Sequence, residues 1–324
     1  MLRLLAWPGM PDPEAVAEAG RRIGRTVEVE TIAVNEELER RMATGHVYDV
    51  VCPSDYMVER LAAAGALAPL DDDRLPGRRH LADWARSPVY DRDETWSVPL
   101  AFGTTGYLYD RQRLGGDPES WGPLLAAGAG PSVGLLAEPR EVIGAALLAT
   151  GHETNDATPA ALAAARRVLE GVAERVVRVD SDDFVGPVAD GTVAVHHAWS
   201  GPSAARMRHD PRLGYAVPAE GAVLWTTTAA IPADAPDPDA AHALIEQLLD
   251  PQLAAITTTR NGYATPNAAA RDRLDPALAG DPVLFPDEAV LRRLQVVRAL
   301  PDADAARVDA LWQELGTRWP LPRA

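Results

Sequence analysis

The chain contains no lysine: all 31 basic residues among its 324 are arginine. Arginine stays protonated and forms no imine, so pyridoxal Schiff-base chemistry and a P-loop lysine are both excluded. The one cysteine, Cys52, permits neither an internal disulfide nor a thiolate metal cluster. No stretch approaches the ~18 consecutive apolar residues of a spanning helix, so no membrane span is expected. Positive charge is also in deficit. Against 47 acidic side chains the 31 arginines leave a net charge of −16, a field that repels nucleic-acid phosphates and anionic lipid and favours cationic partners. At the N-terminus Met1-Leu2-Arg3-Leu4-Leu5-Ala6 runs straight into Trp7-Pro8-Gly9, without the charged region, apolar stretch and cleavage site of an export signal. The expected location is cytoplasmic as encoded, and extracytoplasmic if an N-terminal signal is missing from this sequence.

With 47% hydrophobic and 24% charged residues, the chain has the composition of a globular protein, and its length allows two domains. An apolar strand at 2–6 is ended by Trp-Pro-Gly, and Pro13 opens a helical segment through Ile23. The cadence repeats with a strand at 26–31, a helix at 35–42 with Asn35 as N-cap, a strand at 48–51, and a helix at 56–64 capped by Asp55. Strands separated by such helices predict βαβ units and a parallel sheet. After a polar loop, 96–100 and 106–109 read as two strands flanking Gly103-Thr104-Thr105. A second α/β unit follows, with strands at 133–136, 176–179 and 193–198 and helices at 140–150, 159–173 and from Ser203. A strand at 229–232 precedes a helix at 237–249. The tail from Leu291 reads as two amphipathic helices around Pro301-Asp302.

The seven histidines form no HExxH and no i, i+4 pair, and His196 and His197 would point to opposite faces of a strand. No metal site and no cofactor are expected. Gly128-Ala129-Gly130 lacks the context of a dinucleotide fingerprint, and Ala198-Trp199-Ser200-Gly201 lacks the first glycine of a nucleophile elbow. Aromatics make up only 6% of the chain, yet Trp7, Trp199 and Trp225 each fall at or just after the end of a predicted strand. In open α/β sheets ligands bind beyond the carboxyl ends of strands, so these rings line a common cleft or, alternatively, pack in the cores.

Five stretches taken together resemble the polyamine-binding family of ABC-importer solute receptors. They are Tyr48-Asp49-Val50-Val51-Cys52-Pro53-Ser54-Asp55-Tyr56-Met57-Val58, Ser97-Val98-Pro99 with Gly103-Thr104-Thr105-Gly106, Ala198-Trp199-Ser200-Gly201, Ala229-Ala230-Ile231-Pro232, and Gly262-Tyr263-Ala264-Thr265-Pro266-Asn267. The resemblance implies an α/β, two-lobed, type II periplasmic-binding-protein-like fold. Its ligand cleft would lie between lobes joined by two crossings, lobe one being residues 1–104 with 226–271 and lobe two 105–225 with 272–324. It also implies ligand contacts from Trp7, Ser54, Tyr56, Glu138, Glu141, Trp199, Trp225, Tyr263 and Gln295, with Thr227 two residues after the third tryptophan. Aromatic faces would hold a cationic chain by cation–π attraction of ~0.5–2 kcal/mol per contact, and carboxylates would fix its ammonium ends.

The sequence departs from the family pattern at three acidic positions, one of them Pro202, at a site after the second tryptophan that is acidic in some members. Gly9 stands where the family has a carboxylate in the first loop, and Thr227 where it has an ammonium-binding aspartate. The expected ligand is therefore a small molecule with one amine or guanidine on an apolar or aromatic body, in place of a standard polyamine. The protein would be a monomer, with an ABC permease as partner if it is exported. The alternative is a cytoplasmic biosynthetic enzyme built on the same fold, with Glu141 or Glu138 as general base and His197 as its titratable partner near pH 7.

Overall fold

The run Leu2-Arg3-Leu4-Leu5-Ala6 has only one polar member, as a strand buried on both faces requires. In this computed structural model, which describes residues 1–320, it forms the central strand of a parallel sheet. Residues 321–324, the end of the second expected lobe, lie outside the described residues. In chain order the strands are β1 (Leu2–Ala6), β2 (Val27–Thr31), β3 (Val50–Val51), β4 (Leu67–Ala68), β5 (Val98–Asp110), β6 (Val133–Leu135), β7 (Val176–Val179), β8 (Val195–Trp199), β9 (Leu213–Ala216), β10 (Ala222–Ala229), β11 (Ile231–Pro232) and β12 (Leu294–Gln295).

One unit comprises Met1–Phe102 and Trp225–Asp281. Its sheet runs β2-β1-β3, with Leu2 opposite Val27, Ala6 opposite Thr31 and Leu4 opposite Val50. Parallel neighbours need a crossover, and helices Pro13–Arg22 and Asn35–Ala43 supply it. The first starts where Asp12 accepts the Glu14 N–H and Pro13 takes the opening position, an N-terminus suited to both residues. It buries Ala15, Val16 and Ala19 with Leu2 and Leu4 of β1 and with Leu244, Ile245 and Leu248 of helix Pro238–Leu248. β4 and β11 add a short antiparallel pair.

The other unit comprises Gly103–Leu224 and Pro282–Ala324. Its sheet has the order β12-β10-β5-β8-β6-β7, with β9 antiparallel to β5. Helices Pro139–Ala149, Pro159–Val172 and Asp302–Gly316 cover it with Val142, Ile143, Ala165, Leu169, Val308, Leu311 and Leu315. Between neighbours β6 and β8, Gly134 is opposite His196, and a Cβ there would lie 1.9 Å from the imidazole. The strand accepts a buried histidine at 196 because residue 134 has no side chain.

The elements differ from expectation in several places, the strand expected at 229–232 being split between the end of β10 and β11. β5 runs unbroken from Val98 to Asp110, because Thr105 and Gly106 pair with Trp199 and Ala198 and keep the ladder intact across the Gly-Thr-Thr stretch. Asn35 is the first helical residue and its side chain goes to Ser54, so it does not cap its own helix. Asp55 likewise lies inside its helix, with Ser54 at the cap position. In the tail, Leu294–Gln295 is a strand beside Val223, so the segment before Pro301 is not a continuous helix.

Candidate ligand-binding site

In the first unit the site residues sit on the loops that leave β1 and β3, on β10, and after helix Pro251–Asn261. Trp7 opens a turn closed by the Met10 N–H donating to the Trp7 carbonyl at 3.1 Å, with Gly9 at φ +69°. The Trp7 ring is half-buried, and its indole N–H is enclosed with no hydrogen-bond partner among the described residues. Ser54 follows β3. Its hydroxyl accepts from Asn35 Nδ2 at 2.5 Å, and its N–H donates to Asn35 Oδ1 at 3.1 Å. The Tyr56 hydroxyl donates to Glu36 Oε1 at 3.1 Å.

Asp55 is buried and accepts two backbone N–H groups, from Tyr56 at 2.8 Å and from Thr226 at 3.0 Å. Ser54 and Thr227 also form a bridge. One carboxylate and one bridge thus lock the Ser54–Tyr56 corner to the stretch of β10 that carries Trp225 and the buried Thr227. Trp225 meets Tyr263 edge to face, with centroids 5.1 Å apart and planes at 82°. The Trp225 indole N–H, like that of Trp7, is buried with no partner among the described residues. Burial pushes the Tyr263 hydroxyl up to about 12, so the ring stays neutral at ordinary pH.

The second unit holds the acidic residues. Glu138 occupies the cap position of helix Pro139–Ala149 and accepts from Ser181 Oγ at 3.4 Å, while Glu141 lies in the first turn. Both are half-buried at the positive end of the helix, which favours carboxylates. Arg140 between them donates to the Arg298 carbonyl at 3.2 Å and to Asn155 Oδ1 at 2.9 Å. Gln295 on β12 accepts the Thr154 N–H at 2.8 Å. Trp199, half-buried at the end of β8, stands edge-on to Phe184 with centroids 5.4 Å apart.

His197 has a different setting. It is fully buried on β8 beside Trp121, at 5.7 Å between ring centroids, and neither ring nitrogen has a hydrogen-bond partner among the described residues. Burial pushes its pKa down to about 3, so it is neutral at physiological pH and does not titrate near 7 as expected. His196 faces the other side, near Phe184, and is held down to about 4 by the same desolvation. A histidine fixed neutral in this way neither gives nor takes a proton near neutral pH, and the enzyme alternative loses its acid–base partner.

The structure thus joins Ser54 to Thr227 and Trp225 to Tyr263, and turns the Tyr56 hydroxyl to Glu36. Glu36, Ser181 and Asn261 also hold Tyr56, Glu138 and Tyr263 and carry no signal in the sequence, whereas Asn35 and Asp55, which hold Ser54 and Tyr56, read there only as helix caps.

A model of the bacterial extracellular solute-binding protein family matches residues 14–286. The chain belongs to this family. Within it the chain falls in the polyamine-binding ABC-transporter group. It is 31% identical to spermidine/putrescine-binding periplasmic protein 1 of Haemophilus influenzae over 89% of its own length and 81% of that protein. It is 27% identical to the putrescine/cadaverine-binding protein of Pseudomonas aeruginosa, over 98% of this chain and 94% of that one. Among solved structures, the spermidine/putrescine ABC transporter substrate-binding protein of Streptococcus pneumoniae superposes with a TM-score of 0.88 at 25% identity, covering 98% of each chain. As a solute-binding protein it has the two-unit α/β fold expected from its motifs.

Proposed function

We propose that this solute-binding protein takes up a small molecule bearing one amine or guanidine on an apolar or aromatic body, and delivers it outside the cytoplasm to an ABC permease. The binding residues proposed are Trp7, Ser54, Tyr56, Trp225, Thr227 and Tyr263 from one unit and Glu138, Glu141, Trp199 and Gln295 from the other. The names of the relatives support an amine ligand, and the extracellular family description supports the location. The cytoplasmic expectation finds no support among them.

The observation that carries the restriction to one charged end is the chemistry of the first unit. It offers the Trp225–Tyr263 pair and two enclosed indole N–H donors, those of Trp7 and Trp225. Its nearby carboxylates already serve the fold: Asp55 accepts two backbone N–H groups, Asp12 caps a helix, and Glu36 accepts the Tyr56 hydroxyl. An ammonium group is a donor only, so it satisfies no indole N–H, and leaving it desolvated without a counter-charge costs several kcal/mol. A carbonyl or hydroxyl suits those donors, while Glu138 and Glu141 supply charge for a single cationic head.

N-acetylputrescine and putrescine test this, because they share a chain and differ in the charge of one end. Titration calorimetry should give tighter binding of N-acetylputrescine, with putrescine and spermidine no tighter than the high-micromolar range, about −5 to −6 kcal/mol. Nanomolar binding of putrescine or spermidine would overturn the reading in favour of a standard polyamine.

A further inference from the structure

Helix Pro251–Asn261 ends against the loop that follows β1. Thr257 Oγ1 accepts the Asp12 N–H at 3.3 Å, and one turn later Asn261 Nδ2 donates to the Gly9 carbonyl at 3.0 Å. The other end of the same amide, Asn261 Oδ1, accepts the Tyr263 N–H at 2.9 Å. Between them Gly262 is left-handed at φ +78° and closes the helix by donating its N–H to the Thr258 carbonyl at 3.0 Å. A glycine adopts that conformation without steric cost, and the reversal brings the backbone of residue 263 back to the Asn261 side chain.

Both bonds lead to aromatic residues of the first unit. Gly9 lies in the turn that Trp7 opens and Met10 closes, and Tyr263 meets Trp225 edge to face. We propose that Asn261 is a positioning residue for ligand binding, whose carboxamide joins the Trp7 turn to the Tyr263–Trp225 pair so that these aromatic side chains are held as one surface. A carboxamide supplies a donor and an acceptor at one position, which neither aspartate nor alanine does. The consequence for binding rests on the proposed function, whereas the linkage itself is a property of the first unit. It places a specificity element outside the ligand-contacting residues, since loss of either bond lets one aromatic element shift against the other.

The test compares the full chain with Asn261→Ala and Asn261→Asp, each labelled with 5-fluorotryptophan, by fluorine NMR, amide exchange and calorimetry with N-acetylputrescine. In Asn261→Ala the Tyr263 and Met10 amides should exchange about tenfold faster. The Trp7 and Trp225 fluorine lines should both move, and affinity for the probe should fall about tenfold. Asn261→Asp keeps the acceptor, so Tyr263 protection and the Trp225 line should stay as in the parent while the Met10 amide and the Trp7 line change. Lower unfolding midpoints with unmoved Trp7 and Trp225 lines in both variants would mean that Asn261 only supports its helix, and would overturn the proposal, as would unchanged exchange in Asn261→Ala. If the parent protein does not bind N-acetylputrescine, the ligand assignment fails, and the exchange and fluorine patterns still decide the linkage.

Discussion

Trp225 and Tyr263 meet edge to face within one unit, at 5.1 Å and 82°. Aromatic pairs of this geometry contribute about 0.5–1.5 kcal/mol beyond the area they bury. A double-mutant cycle of Trp225→Leu and Tyr263→Leu, followed by urea unfolding, should return a coupling energy in that range. Strict additivity would show that the two rings are neighbours without mutual stabilisation.

Glu141 lies in the first turn of helix Pro139–Ala149, where a carboxylate also stabilises the helix. Glu141→Gln keeps the shape and removes the charge. If Glu141 contacts the cationic head, affinity for N-acetylputrescine should fall by ~10²-fold, the scale of a charge-assisted hydrogen bond, while stability changes by only ~0.3–1 kcal/mol. Affinity within threefold of the parent would reassign Glu141 to the helix alone.

His196 and His197 make folding sensitive to acid. Their pKa values are lowered to about 4 and about 3 in the folded state by burial, against ~6.5 in an unfolded chain. His196 additionally feels Arg178, Asp180 and Asp183. Below about pH 6.5 the unfolded state binds protons that the folded state refuses, so stability is retained above that pH and falls as the pH drops toward 4. Each histidine contributes a loss of about 1.4 kcal/mol per pH unit within that window. Urea unfolding at pH 7, 5.5 and 4.5 should show a shallower decline in His197→Leu than in the parent, and identical declines would contradict the assignment.

Much of the fold was legible because alternation of apolar strands and helices has a period, and β1, β2 and the helices that join them follow it. The unbroken course of β5 was not legible: Gly103-Thr104-Thr105 reads locally as a break between two strands, and the pairing with β8 that begins at Thr105 depends on residues distant in sequence. Gln295 reads as helical in the sequence for the same reason, since its strand is defined by Val223, distant in sequence. At the site, the tryptophans were visible as residues beside strand ends, but their grouping rested on resemblance. The two bonds of Asn261, one of them to a carbonyl 252 positions away, leave no periodic trace. Strand alternation separates His196 from His197 and says nothing of the burial of both, so the sequence alone leaves His197 titratable.

The carboxylates near Trp225 and Tyr263 in the first unit are engaged in the fold, and none is assigned to a second cationic end. Thr227 is buried on β10 beside Ser54, and Thr227→Asp places an acid there. Calorimetric titration of this variant with putrescine should show affinity about 10- to 100-fold above that of the parent, the worth of a charge-assisted hydrogen bond, with no gain for N-acetylputrescine. Putrescine affinity that is unchanged by the substitution, or already nanomolar in the parent protein, would contradict the account.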